Sequence, residues 1–219
     1  PDPLWSRGLG DVYKRQSTPT NYYRDLNLDT GIASVRYHLG NDKFKREILS
    51  SWPDQVLIIH LTCNNPGKIS FDVRLSRGIR NWETNPSTNS HSSDQNHEEF
   101  IEAIATSDHC LILSGRTWKN SGMTFQANLQ IIHEGGTITT TNQGLSVQQA
   151  DNVTLLLAAA TDYWKKDPKT LCIEHLEQAS KKHYSELRES HTNDYQKLFH
   201  RVSICLLYTS PSPRDQRGS

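Results

Sequence analysis

Between Thr30 and about Tyr163 apolar residues recur at every second position, in short runs separated by turn residues. That period confines the chain to strands with one buried face, because successive side chains of a strand point to opposite sides. Met123, Phe125, Ala127, Leu129 and Ile131 make the cleanest run, and it stops at Gly135-Gly136. Ala33, Val35, Tyr37 and Leu39 alternate with Ser34, Arg36 and His38. Gly40-Asn41-Asp42 then supplies a turn and Phe44 to Leu49 returns, which makes a hairpin. Ile69, Phe71, Val73 and Leu75 alternate after the turn Asn64-Asn65-Pro66-Gly67, as do Leu145 and Val147, while Thr137 to Thr141 is β-prone. Val56 to Leu61 and Val153 to Ala160 depart from alternation and are almost continuously apolar, which suits strands covered on both sides. Shorter strands are expected at Ile101 to Ala105 and Cys110 to Leu113. With no helical period between them, these strands point to an antiparallel β-sandwich rather than βαβ units. The expected buried set is Val35, Tyr37, Val56, Ile58, Phe71, Val73, Phe125, Leu129, Leu155 and Leu157.

The period changes after Asp167-Pro168, where proline suits the first turn of a helix. Leu171 to Ser180 is a helix candidate, and Tyr184, Leu187, His191, Tyr195, Leu198 and Val202 follow at spacings of three and four. This predicts one helix, or two joined near Lys182-His183, with Lys181, Lys182, Glu186, Arg188 and Glu189 on the solvated side. The apolar stripe Tyr184, Leu187, Tyr195, Leu198 and Phe199 is expected to be under-packed. Asn85 to His97 holds no large apolar residue and is dense in Ser, Asn, Asp and His, so it is expected to be a mobile surface loop.

Only 34% of the residues are hydrophobic, low enough to ask whether every segment belongs to the fold. The genetic code answers for both ends. Asp11 to Gln16 can be written GAT GTG TAT AAG AGA CAG, and the reverse complement, read one base out of frame, encodes Cys205-Leu206-Leu207-Tyr208-Thr209 and begins Ser210. Two ends of one protein have no reason to be complementary strands of one DNA, and the sequence resembles a transposase adapter used in making sequencing libraries. Residues 1–16 and 205–219 are therefore set aside as adapter-derived tails, expected to make few contacts with the rest. Residues 17–204 are expected to be an internal piece of a longer reading frame.

Chemistry is sparse in what remains. The 24 basic and 24 acidic residues cancel, which argues against a nucleic-acid or membrane-surface partner. No apolar run approaches the roughly 20 residues of a membrane helix. Ser114-Gly115-Arg116-Thr117 lacks the lysine and spacing of a phosphate loop, and there is no G-x-S-x-G elbow. Cys63, Cys110 and Cys172 form no C-x-x-C, and Cys172-x-x-His175 is two ligands short of a zinc site. His175, His183, His191 and His200 are never four apart, and His191 reads as a hydrogen-bonded packing residue. Glu98, Glu99 and Glu102 cluster beside the polar loop, where they are expected to be solvated, and Glu47 and Asp72 read as scattered along strand edges. Neither arrangement fixes two carboxyls as glycoside hydrolysis requires. Trp52, Trp82, Trp118 and Trp164 can stack on sugar rings, but packing in the core or between domains is the expected role. The sequon Asn152-Val153-Thr154 adds nothing without a known source. No catalytic, cofactor-binding or metal residue is assigned.

A series of motifs does stand out in order. Tyr22-x-Arg24-x-Leu26-x-Leu28-Asp29-Thr30 leads to Arg46-Glu47-x-x-x-Ser51-x-Pro53-Asp54-Gln55. Gly122-Met123-x-Phe125-x-Ala127, Glu134-Gly135-Gly136 and Asp151-x-Val153-Thr154-Leu155-Leu156-Leu157 follow, then His191-x-x-Asp194-Tyr195-x-x-Leu198-Phe199-x-Arg201-Val202. The set resembles the N-terminal region of glycoside hydrolase family 95, whose best-known members are α-L-fucosidases. The resemblance implies a mainly β chain. Residues 17–166 would be an incomplete antiparallel β-super-sandwich, and 167–204 linker helices leading to a missing (α/α)6 barrel. It also implies hydrolysis of terminal α-L-fucosides with inversion, by an acid and a base-activated water with carboxyls roughly 6.5–9.5 Å apart. Those groups lie in the barrel, so this piece is expected to be inactive by itself and to need no cofactor. Its expected partners are fucosylated glycans through the parent enzyme, and the barrel it packs on. The family further suggests a secreted or periplasmic enzyme, and some members act on galactosides. A free-standing carbohydrate-binding module is the alternative, which the helical stretch after Pro168 disfavours.

Overall fold

Each alternating or apolar run forms a strand. The computed structural model describes residues 18–76, 109–117, 122–141 and 144–203, and the backbone alone of 101–106. The strands among them are β1 (Thr20–Asn27), β2 (Ile32–Leu39), β3 (Asp42–Ser51), β4 (Val56–Cys63), β5 (Ile69–Val73), β6 (Ile101–Thr106), β7 (Cys110–Arg116), β8 (Thr124–Glu134), β9 (Thr137–Thr141), β10 (Gly144–Ala150) and β11 (Asn152–Thr161). A short turn of 3₁₀-helix, Asp162–Trp164, leads to α1 (Pro168–Ala179) and α2 (Tyr184–Phe199). Among the described residues, eight strands pair in the order β1-β2-β3-β4-β11-β8-β7-β6, and three more, β5-β10-β9, form a second sheet. The pairings are antiparallel.

The chain crosses from the large sheet to the small one at the two glycine-bearing turns. Asn64 to Gly67 carries β4 into β5, and the Gly67 N–H donates to Asp151 Oδ1 at 2.6 Å. Gly135-Gly136 carries β8 into β9; a Cβ at Gly136, where φ is +64°, would stand 2.2 Å from the Gln148 carbonyl oxygen, so no side chain fits.

Two cores share the large sheet. Ile59, Ile69, Leu129, Leu145, Val147 and Leu155 pack between the sheets. Leu49, Ile58, Leu156, Cys172, Leu176 and Leu187 pack between the large sheet and the helices. Strands β4 and β11 supply both, which is why their sequences do not alternate. The molecule is therefore a sandwich with helices on its outer face: small sheet, large sheet, helices.

The helices reach that face by local rules. Asp167 caps α1, its carboxylate accepting from the Thr170 N–H at 3.0 Å, and Pro168 takes the first position. Cys172, Leu176 and Ala179 then fall on one stripe against β11 and β8. Glu186 accepts from the His183 N–H at 2.7 Å at the start of α2. Leu187 and His191, four apart, face inward on that helix, which packs on β3.

The stretch after Pro168 is two helices, separated at residues 180–183, the second of the two arrangements expected. Several other expectations change. The apolar stripe of that stretch is not uniformly under-packed: Leu187 is buried and Tyr184 packs against the sheet, whereas Leu198 and Phe199 stay 61% and 41% exposed. On β2 the more buried parity is Ile32 and Ser34, with Val35 and Tyr37 only half-buried. The small sheet meets the large one chiefly at β4 and β6, so the inner face of β1 to β3 runs out beyond its cover, while α2 shields β3 from the other side. Phe71, Phe125 and Leu157 are also half-buried rather than buried. The loop Asn85 to His97, Trp82, Trp118, Glu98, Glu99 and the tails 1–16 and 205–219 lie outside the described residues, as does the side chain of Glu102 in β6.

Candidate functional site

Register brings together a row of polar side chains that are far apart in sequence. Asp25 pairs with Ser34, Ser34 with Glu47, Glu47 with His60, and His60 with Thr154, so one polar residue from each of five strands lies side by side. Strands lie about 4.8 Å apart, which puts neighbours of the row within side-chain reach. The Ser34 hydroxyl donates to the Asp25 carboxylate. Farther along, His60 Nδ1 lies 2.8 Å from Thr154 Oγ1. The row faces α2: the Tyr184 ring stacks on His60 with centroids 3.8 Å apart, and Arg188 Nε lies 3.7 Å from the Glu47 carboxylate. Lys45 Nζ closes on the same carboxylate at 2.9 Å.

The electrostatics of the row favour holding rather than transferring protons. Burial pushes the Glu47 carboxyl up, but the hydrogen bond and charge of Lys45 and the charge of Arg188 outweigh it, leaving Glu47 below its ordinary value. A general acid for glycoside hydrolysis needs the reverse, a carboxyl raised enough to keep its proton. Burial also holds His60 below the usual imidazole range. Tyr184 is pushed above the usual phenol range, first by burial and then by the Glu47 charge. The result is an anionic carboxylate and a neutral imidazole on the sheet, met by a neutral phenol from the first turn of α2.

A second polar set fastens α2 to the sheet turns along its length, from Lys182 before its start to His200 at its end. Asp54, buried in the β3–β4 turn, accepts from Lys182 Nζ and from the Ser51 hydroxyl, each at 2.5 Å. The ring nitrogens of His191 lie 3.1 Å from the Ser50 carbonyl oxygen and 3.0 Å from that of Thr30. Tyr195 donates its hydroxyl to the Leu28 carbonyl at 2.9 Å, and its ring occupies the space that a Cβ on Gly31 would need. His200 pairs with Asp29 at 2.6 Å.

His191 is thus a buried, hydrogen-bonded packing residue, 6% exposed. Cys172 faces the sheet, its thiol donating to the Gln126 carbonyl oxygen at 3.4 Å, and burial pushes that thiol up to about 11. Asp72 lies on β5, an edge strand of the small sheet. Glu47, expected at a strand edge, is instead 9% exposed within the large sheet. Trp52 and Trp164 are not core residues: they are 75% and 80% exposed. The polar row was missed as a unit, although it left a trace: His60 interrupts the apolar run of β4, and Thr154 that of β11.

This sandwich matches the family model described as glycosyl hydrolase family 65, N-terminal domain, over residues 6–166. The chain belongs to that family. The match includes residues 6–16 of the segment set aside as an adapter tail. Among curated relatives of this chain, Alpha-L-fucosidase 2 of Arabidopsis thaliana is 32% identical, over 95% of this chain and 26% of its own length. A protein named as an α-fucosidase A, from Aspergillus niger, is 26% identical, over 84% of this chain and 23% of its own length. The chain thus spans about a quarter of the curated relatives it matches. A solved structure described as a kojibiose phosphorylase from human microbiome shares the fold, with a TM-score of 0.55 at 13% identity, over 84% of this chain and 25% of that one. The resemblance drawn from the ordered motifs, to the N-terminal domain of a fucosidase-type glycoside hydrolase, is shown by these relatives.

Proposed function

We propose that this chain is the supporting N-terminal domain of a family 95 glycoside hydrolase that releases terminal α-L-fucose with inversion, and that it is not itself catalytic. The carrying observation is the state of its buried carboxylates. Glu47 is held by Lys45 and Arg188, and Asp54 by Lys182, so each is committed to a cation inside the fold. Glu47, held below its ordinary value, is unsuited to be the protonated acid that an inverting hydrolase needs. The naming of the two curated relatives as fucosidases supports the substrate class. In this reading the acid and base lie in the remaining three-quarters of the polypeptide, and the domain braces them. The row under α2 makes sandwich and helices one rigid support, and rigid support is what positions a two-carboxyl site.

The test is to express the 219-residue chain and assay it with an aryl α-L-fucoside, the matching aryl α-L-galactoside and a fucosylated oligosaccharide. No turnover is expected from any of them. Turnover above background that disappears when Glu98, Glu99 and Glu102 are changed to Gln would show that the domain is catalytic after all. A polypeptide extended through the downstream reading frame should hydrolyse the fucoside in preference to the galactoside, and the opposite preference would overturn the substrate class.

A further inference from the structure

Toward the β2–β3 turn, the helix-bearing face of the large sheet changes from the polar row to a group of cations. Arg36 and Lys45 stand directly opposite each other on β2 and β3, and Lys43 lies two residues from Lys45 on the same face. Like charges directly opposite one another destabilise a sheet, so the pair calls for an anion. The fold supplies two, both recessed in the row met by α2. Asp25 lies 3.4 Å from Arg36, and Glu47 2.9 Å from Lys45. These acid side chains are 27% and 11% exposed, against 54% for Arg36 and 47% for Lys45, so it is the cations that meet solvent. Lys43 is exposed and has no acidic partner among the described residues. Arg188 of α2, which also approaches Glu47, adds a fourth cation at the border. Tyr23, paired with Arg36 from β1, holds that guanidinium 5.5 Å from its ring centroid and is itself exposed. On the other side of Lys45, Thr62 and then Asn152 continue the line with a hydroxyl and an amide. The next acid along it, Glu134, is three strands from Lys45 and is bonded to Asn152.

We propose that this patch binds the sulfate or carboxylate groups of an acidic glycan. Arg36 and Lys45 are fixed in place by their recessed acids, yet each carries more N–H groups than one carboxylate contact uses, and the rest point to an outside acceptor. Strand geometry sets Arg36 and Lys45 about 4.8 Å apart at the backbone and Lys43 about 7 Å along from Lys45, so neighbouring anionic groups of one oligosaccharide are met at once. The exposed Tyr23 ring and the Thr62 hydroxyl are groups that a sugar uses and a bare ion does not. The chain as a whole is neutral, with 24 basic and 24 acidic residues, so the field is local rather than the broad basic face of a nucleic-acid binder. The cations select the anion; the choice of a glycan to carry it rests on the glycoside hydrolase reading above.

The experiment titrates the 219-residue chain by calorimetry with four probes: a sulfated oligosaccharide, an oligouronate, a neutral fucosylated oligosaccharide and a DNA oligonucleotide of matched charge. Fucoside turnover by the polypeptide extended downstream is recorded separately. Binding is expected with the sulfated chain, the uronate chain or both, which identifies the anion, and it should weaken as salt rises from about 0.05 to about 0.5 M. Lys43→Glu should weaken it at least about tenfold. The melting temperature should not change, because Lys43 takes no part in the polar row. Lys169→Glu, an exposed position on α1, should leave binding as it was. No binding of either acidic glycan, binding untouched by Lys43→Glu, or an equal loss with Lys169→Glu would overturn the proposal. So would equal or tighter binding of the DNA, which would make the patch a nucleic-acid surface, or of the neutral oligosaccharide, which would take the charge out of it. Binding of an acidic glycan by the short chain with no fucoside turnover by the extended one would keep the patch and remove the substrate reading; turnover without binding would do the reverse.

Discussion

Leu155 and Leu156 are consecutive on β11 and belong to different cores: Leu155, 3% exposed, packs between the two sheets, and Leu156, 0% exposed, packs beneath the helices. One strand thus joins three layers. Replacing either leucine with Ala should cost about 2–5 kcal/mol of unfolding free energy, read from urea titration. The neighbouring Leu157 is only half-buried, so Leu157→Ala should cost clearly less. Equal losses at 156 and 157 would mean that the helices do not cover this face in solution.

Acid should loosen α2 through His60. Burial holds the folded imidazole below its ordinary value, so below about pH 6.5 the unfolded chain binds a proton that the folded chain resists. The contribution is complete above that pH and is lost as pH falls through the folded value. Glu47 acts in the same direction lower down, with a contribution present above about pH 4.3 and lost as the carboxylate is protonated. His60→Gln should therefore flatten the fall in melting temperature between pH 7.5 and 5.5. An unchanged slope in the variant would remove His60 from the account.

Cys172 should resist alkylation. Its thiol is buried, donates to a backbone carbonyl and is pushed up to about 11, whereas the attacking species is the thiolate. Under native conditions it should label at least about tenfold more slowly than half-buried Cys63 or Cys110, and at a comparable rate in urea. Peptide mapping after brief iodoacetamide treatment reads the difference directly. Fast native labelling at Cys172 would show α1 detached from the sheet.

The Asp54–Lys182 contact ties the β3–β4 turn to the residues between the helices. The Lys182 side chain is 43% exposed and that of Asp54 2%, so removing the lysine leaves a buried carboxylate with Ser51 as its side-chain partner among the described residues. Lys182→Met should cost about 1–2 kcal/mol, at the upper end of what a half-exposed partner contributes. Asp54→Asn, which retains hydrogen bonding without the buried charge, should cost less. The reverse order would point to a structural demand of the turn itself rather than to the ion pair.

Period-two spacing and turn residues were enough to place the strands that follow Thr30, though not β1, because a strand's alternation and a glycine's positive φ are local properties. The runs at Val56 and Val153 likewise announced two-sided burial, since apolar residues on both parities have no other stable use in a strand. Motif order went further and reached the N-terminal domain of a glycoside hydrolase. The faces of β2, the burial of Glu47 and the docking of α2 were not legible, because each depends on which other element covers a given strand. Alternation says that one parity of β2 is the more apolar; only the narrow small sheet and the position of α2 decide that Ile32 and Ser34 are the better covered. The row from Asp25 to Thr154 left no local sign beyond the interruptions of two apolar runs at His60 and Thr154. Its five residues are spread over 130 positions and become neighbours only when antiparallel register lines them up, so sequence set the chemistry of each member and the tertiary fold alone made them a set.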